Sequence, residues 1–142
     1  LSIRFSTVSS LVDDIKKHLL QKLAKLEIKG VVGIPRSGML PATLCALWLN
    51  VPMYSVAEDG SLHLMSNASG FGGLRMSKFK ERQGAILLID DTLSSGGSMK
   101  EALESIKTDE KVITCAVYAN PKNIEKVDVY GIDLHHPYIL DW

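Results

Sequence analysis

The stretch Ile86-Leu87-Leu88-Ile89-Asp90-Asp91-Thr92-Leu93-Ser94-Ser95-Gly96-Gly97-Ser98 passes from four apolar residues to two adjacent acids, then to hydroxyls and glycines that open a helix. Backbone amides freed by glycines at a helix amino terminus cradle a phosphate, and Ser94, Ser95 and Ser98 add hydroxyl donors. No lysine follows, so this is not the Walker loop. Two acids just before an anion cradle repel its ligand unless they hold something attached to it, such as sugar hydroxyls or a metal. A ribose 5-phosphate satisfies that arrangement. A plain strand-end turn with a serine cap requires neither the paired acids nor the two glycines.

On either side of this stretch, strand and helix signals alternate. Ser10 and Asp13 resemble a capping box, and Leu11, Ile15, Leu19, Leu23 and Leu26 repeat at helical spacing, which predicts an amphipathic helix over residues 10–27. Gly30 to Ile34 has strand length and ends at Pro35. Pro41 to Leu49 reads as a helix closed by Asn50, and Pro52 to Val56 as a second strand. Residues 57–83 are polar, glycine-rich and without period, too long for an ordinary connection and expected to act as a lid. Ala85 to Ile89 is the third strand, Gly97 to Ile106 the second crossover helix and Lys111 to Tyr118 the fourth strand. The tail from Glu125 carries two short strand-like pieces and is expected to cap the sheet's carboxyl edge. The fold class that follows is α/β, a doubly wound parallel sheet of about five strands with flanking helices and a small C-terminal hood. A single domain is expected over residues 1–142, with its core at about 10–120 and the hood at about 121–142.

Composition narrows the function. The 142 residues are 46% hydrophobic and 23% charged, an ordinary globular mixture. Lysine plus arginine balances aspartate plus glutamate at 16 each, so no global basic field draws in DNA or an anionic membrane. Any bound anion must be held by local geometry. Cys45 and Cys115 sit in apolar runs and match no zinc or redox spacing, which predicts buried free thiols in a reducing compartment. No run approaches the roughly 18 apolar residues of a membrane span, and the amino terminus lacks a signal pattern, so a cytoplasmic location is expected. The start at Leu1 without methionine suggests a trimmed end.

With the Ile89–Ser98 signature in view, the chain resembles the type I phosphoribosyltransferases, from about Asp14 to Trp142, and is most similar to the small bacterial xanthine-guanine and hypoxanthine enzymes. The resemblance implies transfer of 5-phosphoribosyl from 5-phosphoribosyl 1-pyrophosphate (PRPP) to a nucleobase with Mg2+ as cofactor. Asp90 and Asp91 would hold the ribose hydroxyls and order the metal's waters. Ser94, Ser95, Gly96, Gly97 and Ser98 would hold the 5′-phosphate, with Thr92 and Leu93 also among the PRPP-binding residues. Gly33-Ile34-Pro35-Arg36-Ser37-Gly38 matches the family's pyrophosphate turn, with Arg36, Ser37 and Gly38 at the donor and a cis bond implied between Arg36 and Ser37. In the long loop, Ser69 to Lys78 matches a segment that closes over the reacting centre, where Arg75 or Lys78 meets the departing pyrophosphate.

The ending Val127 to Trp142 is similar to the family's base-binding hood, with Tyr138 and Ile139 in the stacking positions. Adjacent His135 and His136 lack ligand spacing. Two departures bear on the base. Purine enzymes acting on 6-oxo bases carry an aspartate where this chain has Ser94, and a lysine where Val117-Tyr118-Ala119-Asn120-Pro121 offers Asn120. An amide both donates and accepts, so Asn120 can read an oxo or an amino group. The expected partners are PRPP and a nucleobase, a 6-oxopurine being favoured, in a homo-oligomer without nucleic acid or membrane. The alternatives are an orotate-type or other-heterocycle transferase, and a non-catalytic regulatory relative that senses PRPP.

Overall fold

Leu11, Ile15, Leu19 and Leu23 recur at a strict spacing of four and are all fully buried, and that spacing shapes the first helical segment. A step of four overshoots a 3.6-residue turn by about 40°, so an unbroken α-helix would wind these side chains off the core. A computed structural model, which describes residues 4–66, 83–134 and 138–140, resolves the mismatch with a wider turn. Helix α1 (Val8–Asp14) passes into a π-helical turn (Ile15–Leu19) and then α2 (Leu20–Ala24), and the stripe stays on one face. The expected start at Ser10 is corrected to Thr7, whose hydroxyl accepts the Ser10 amide at 3.0 Å and so draws Ser10 into the first turn. Leu26 lies beyond the helix and is exposed.

Six strands build the main sheet: β2 (Ile28–Gly33), β3 (Met53–Val56), β4 (Leu62–Ser66), β5 (Ala85–Leu93), β6 (Val112–Ala119) and β7 (Val129–Asp133), in the order β4-β3-β2-β5-β6-β7. All neighbours are parallel except β3 and β4. Leu87 and Ile89 of β5 pack with Leu11, Ile15, Leu19 and Leu23, and with Ala42, Cys45 and Ala46 of α3 (Met39–Leu49). Ile86 and Leu88 join the core that holds Met99 of α4 (Gly97–Ser105). Helices therefore cover both faces, and β5 has the apolar run of a strand buried on both sides.

Two expectations change. Part of the 57–83 stretch is a strand: β4 forms a hairpin with β3, and its half-buried Leu62 and Leu64 alternate with exposed His63 and Met65. Edge pairing to β3 supplies the backbone bonds that a free loop would lack. The described part of the tail is also placed differently from a cap alone. Pro121–Lys126 is a 3-10 helix, and β7 joins the main sheet, with Val129 and Ile132 packed against the core. Strand β8 (Tyr138–Leu140) lies off that sheet, paired in parallel with β1 (Arg4–Ser6). No helix among the described residues is long and apolar enough to cross a membrane.

Sheet order decides where a ligand fits. From β2 the chain moves outward to β3 and β4, then returns to β5 on the other side and continues outward to β6 and β7. The crevice where the order reverses opens at the carboxyl ends of β2 and β5, and an open α/β sheet binds its ligand there.

Candidate active site at the carboxyl edge of the sheet

Strand β5 runs through to Leu93, four residues past the expected end at Ile89. Asp90, Thr92 and Leu93 keep their register with Ala116, Tyr118 and Ala119 of β6, because Leu93 is itself core and 2% exposed. The two acids therefore belong to the rigid sheet rather than to a loop. Asp90 is 9% exposed and Asp91 5%. The Asp91 amide donates to Asp90 Oδ1 at 2.8 Å and the Thr92 amide to Asp91 Oδ1 at 2.7 Å, fixing both carboxyl groups from the backbone. Burial, reinforced by the Asp91 carboxyl beside it, raises the Asp90 pKa from 3.8 to about 7. Thr92 Oγ1 is buried with no hydrogen-bond partner. A buried acid pair and an unanswered hydroxyl fit a ligand that brings donors or positive charge. The described residues contain no group of three or more His, Cys, Asp or Glu side chains placed to hold a metal. A cation here would thus draw on the acid pair and keep several waters, a donor set that suits magnesium.

The turn after β2 is pressed against these acids. The Ile34 amide donates to Ile89 O at 2.9 Å, directly before Asp90. A Cβ on Gly33 would lie 2.8 Å from Ala42 Cβ, and one on Gly38 would lie 2.9 Å from Ile89 O, so only glycine lets the turn and α3 approach the strand ends this closely. The cis peptide lies between Pro35 and Arg36, one residue before the bond implied by the resemblance. The Arg36 and Ser37 carbonyls already accept the amides of Met39 and Leu40 in the lead-in to α3, and the bend falls before them. Arg36 is exposed at the crevice. A cavity of about 490 Å³ runs from Gly33, Ile34 and Pro35 to Ser98 and Glu101 of α4, linking the turn to the helix.

The loop Ser94–Ser98 carries the third component. Gly96 adopts φ +89°, the left-handed region that favours glycine, and α4 begins at Gly97 with no side chain capping it. The first amides of that helix are left for a ligand or water, while the Gly97 amide reaches Ser95 Oγ at 3.3 Å. Ser94, Ser95, Gly97 and Ser98 are exposed. Two residues that sequence reasoning missed hold the loop from behind: Asn123 Nδ2 donates to Ser94 O at 2.8 Å, and Lys126 Nζ to Ser95 O at 3.0 Å. They lie 29 and 31 residues away along the chain, and no local pattern marks them.

Asn120 sits at the end of β6, where its amide donates to Leu93 O at 2.8 Å. Its side chain has a second task, because Oδ1 accepts the Lys122 amide at 3.0 Å and caps the 3-10 helix. The structure thus brings Asp90, Asp91, Thr92, Arg36, Ser37, Gly38, the Ser94–Ser98 loop and Asn120 to one edge of the sheet. Tyr138 and Ile139 are described through their backbone pairing with Arg4 and Phe5 only. Arg75, Lys78, His135 and His136 lie outside the described residues.

Comparison with known proteins bears on family and fold. Residues 7–138 match the phosphoribosyl transferase domain family. The chain is 26% identical over 136 residues to the transcriptional regulator GfcR of Methanococcus vannielii, covering 95% of this chain and 63% of that protein. It is 30% identical over 114 residues to the xanthine-guanine phosphoribosyltransferase of Chromohalobacter salexigens, covering 80% and 67%. The purine phosphoribosyltransferase of Pyrococcus horikoshii superposes with a TM-score of 0.66 at 15% identity, over 100% of this chain and 94% of that one. This shows a shared fold. The chain spans about two-thirds of the length of the two curated relatives.

Proposed function

The chain belongs to the phosphoribosyl transferase domain family, and from that premise we propose that it transfers 5-phosphoribosyl from PRPP to a ring nitrogen of a 6-oxopurine, releasing pyrophosphate. The carbon–oxygen bond to pyrophosphate breaks, the carbon–nitrogen bond to the base forms, and the base nitrogen gives up its proton. The observation that carries this reading is the switch point, where the Gly33–Gly38 turn, the Asp90–Asp91 pair and the Ser94–Ser98 loop converge. Each part meets a different portion of the donor. The acids accept from the ribose hydroxyls, the loop amides and hydroxyls take the 5′-phosphate, and Arg36 stabilises the departing pyrophosphate together with Arg75. Magnesium held near Asp90 and Asp91 would neutralise charge on the diphosphate as it leaves.

The choice of base rests on Asn120. Its Oδ1 is engaged in capping the 3-10 helix, which leaves Nδ2 as the group to offer. A donor reads a ring oxo group better than an exocyclic amine. Tyr138 and Ile139 would stack on the ring. Pyrophosphate release from PRPP and Mg2+ should be higher with guanine, hypoxanthine or xanthine than with adenine, and a ring too small for the proposed stacking, such as orotate, should also give less. Release that peaks with adenine or orotate would overturn the base assignment.

The likeness to the regulator GfcR over 95% of this chain favours a second reading, a PRPP sensor without turnover. PRPP binding by calorimetry, with no pyrophosphate released for any base, would select it. Absence of PRPP binding would overturn both readings.

A further inference from the structure

We propose that Asn123 and Lys126 are positioning residues that set the orientation of the phosphate loop, with the 3-10 helix Pro121–Lys126 acting as its splint. The inference rests on the reading of Ser94–Ser98 as the 5′-phosphate cradle. Three consecutive carbonyls of the chain are taken by donors three residues apart. The Asn120 amide donates to Leu93 O at 2.8 Å, Asn123 Nδ2 to Ser94 O at 2.8 Å and Lys126 Nζ to Ser95 O at 3.0 Å. A 3-10 helix has three residues per turn, so residues 120, 123 and 126 fall along one edge of it, in step with the three carbonyls. Asn120 sets the start of that helix by capping the Lys122 amide.

The consequence follows from peptide geometry. In a trans peptide the C=O and the next residue's N–H point in opposite directions. Holding Ser94 O and Ser95 O against the splint turns the Ser95 and Gly96 amides away from it, which is the orientation an anion cradle needs. The Lys126 stem also lies along Gly96, where an added Cβ would come within 2.9 Å of Lys126 Cδ. The splint therefore locks the residue whose positive φ lets the loop turn into α4. The same short helix leaves β6 directly after Asn120, so the residue proposed to read the base and the loop proposed to hold the phosphate share one rigid support.

The test uses the full chain with Asn123→Ala and Lys126→Met, and Asn123→Gln and Lys126→Arg as conservative partners. Both sites are at least partly exposed and outside the core, so the thermal midpoint should stay put. Each truncation should raise the KM for PRPP about 5- to 10-fold, the worth of one lost hydrogen bond in the binding constant, with kcat changing much less. Calorimetric titration with ribose 5-phosphate should weaken by the same factor, and the conservative variants should recover most of it. Wild type that binds ribose 5-phosphate, beside truncations that bind it equally well, overturns the splint and leaves the cradle standing. Failure of conservative variants to recover affinity also overturns it, since the donor groups would then not be the cause. Wild type that binds neither ribose 5-phosphate nor PRPP overturns the cradle and the splint together.

Discussion

Replacing Asp90 with asparagine should stabilise the protein above pH 7 while weakening its hold on PRPP. In the folded chain the Asp90 carboxyl titrates near 7 instead of 3.8, through burial first and the neighbouring Asp91 second. A folded-state pKa above the unfolded value means that the protonated acid is the favoured form in the fold. Its contribution to stability is complete below pH 3.8 and is lost as the pH climbs through 7. At about 1.4 kcal/mol per pH unit, the rise from 3.8 to about 7 sets a ceiling of about 4 kcal/mol on that loss. Asparagine carries no charge to desolvate, and its Oδ1 can still accept the Asp91 amide that Asp90 Oδ1 accepts at 2.8 Å. Urea unfolding of wild type and Asp90→Asn should therefore give similar stabilities at pH 4 and diverge in favour of the variant by pH 8. PRPP with Mg2+ should bind the variant at least tenfold more weakly, and wild-type affinity should improve as the pH rises through 7. A variant less stable than wild type at pH 8, or stability curves that run parallel, would refute the claim that this acid is kept at a cost to the fold.

Asn120→Asp retains the oxygen that caps the 3-10 helix and removes the amide donor. It should leave the thermal midpoint unchanged while kcat/KM for 6-oxopurines falls about 10- to 100-fold, the cost of an unmatched buried polar group. Gly96→Ala forces a side chain into φ +89° and against Lys126, and should lose about 1 to 2 kcal/mol of stability in urea unfolding, along with PRPP affinity. Burial pushes the Cys45 thiol up to about 12 and raises the Cys115 thiol as well. Both should resist a thiol-specific dye at pH 8 in the native protein and react only once it is unfolded.

What could be read in the chain before folding depended on the range of the interaction. The strand at Ala85, the helix after Gly97 and the acid pair are local patterns, and each stands within a few residues of its expected place. The strict spacing of Leu11, Ile15, Leu19 and Leu23 is equally local, and it predicts a helix, but the wider turn that a step of four calls for emerges only when all four side chains must reach the same core. Strand β4 escaped because five residues with only Leu62 and Leu64 turned inward give a weak alternation. Its stability comes from pairing with β3. The amide of Asn120 is legible in the sequence, whereas its capping role depends on Pro121–Lys126 being helical. Asn123 and Lys126 were not legible at all, since each acts on a carbonyl about thirty residues earlier in the chain.

On the proposed function, the arrangement of charge would let a site with two buried acids take a polyanionic donor. Asp90 and Asp91 are held on β5 by backbone amides and by register with β6, so they cannot swing toward a phosphate. The groups suited to anions stand on either side, with Arg36 on the turn after β2 and the loop amides beyond Leu93. The Ile34–Ile89 hydrogen bond keeps turn and strand at a fixed separation. A bare phosphate can satisfy only the loop, and bare pyrophosphate only the turn. On the proposed function, ribose hydroxyls and a cation would make the middle favourable, and a molecule that presents all of them in that order would be a phosphorylated sugar carrying a metal-bound diphosphate. Selectivity for the proposed donor would then follow from the unfavourable acids as much as from the proposed cradle, because the acids would disfavour simple anions that the cradle alone could accept.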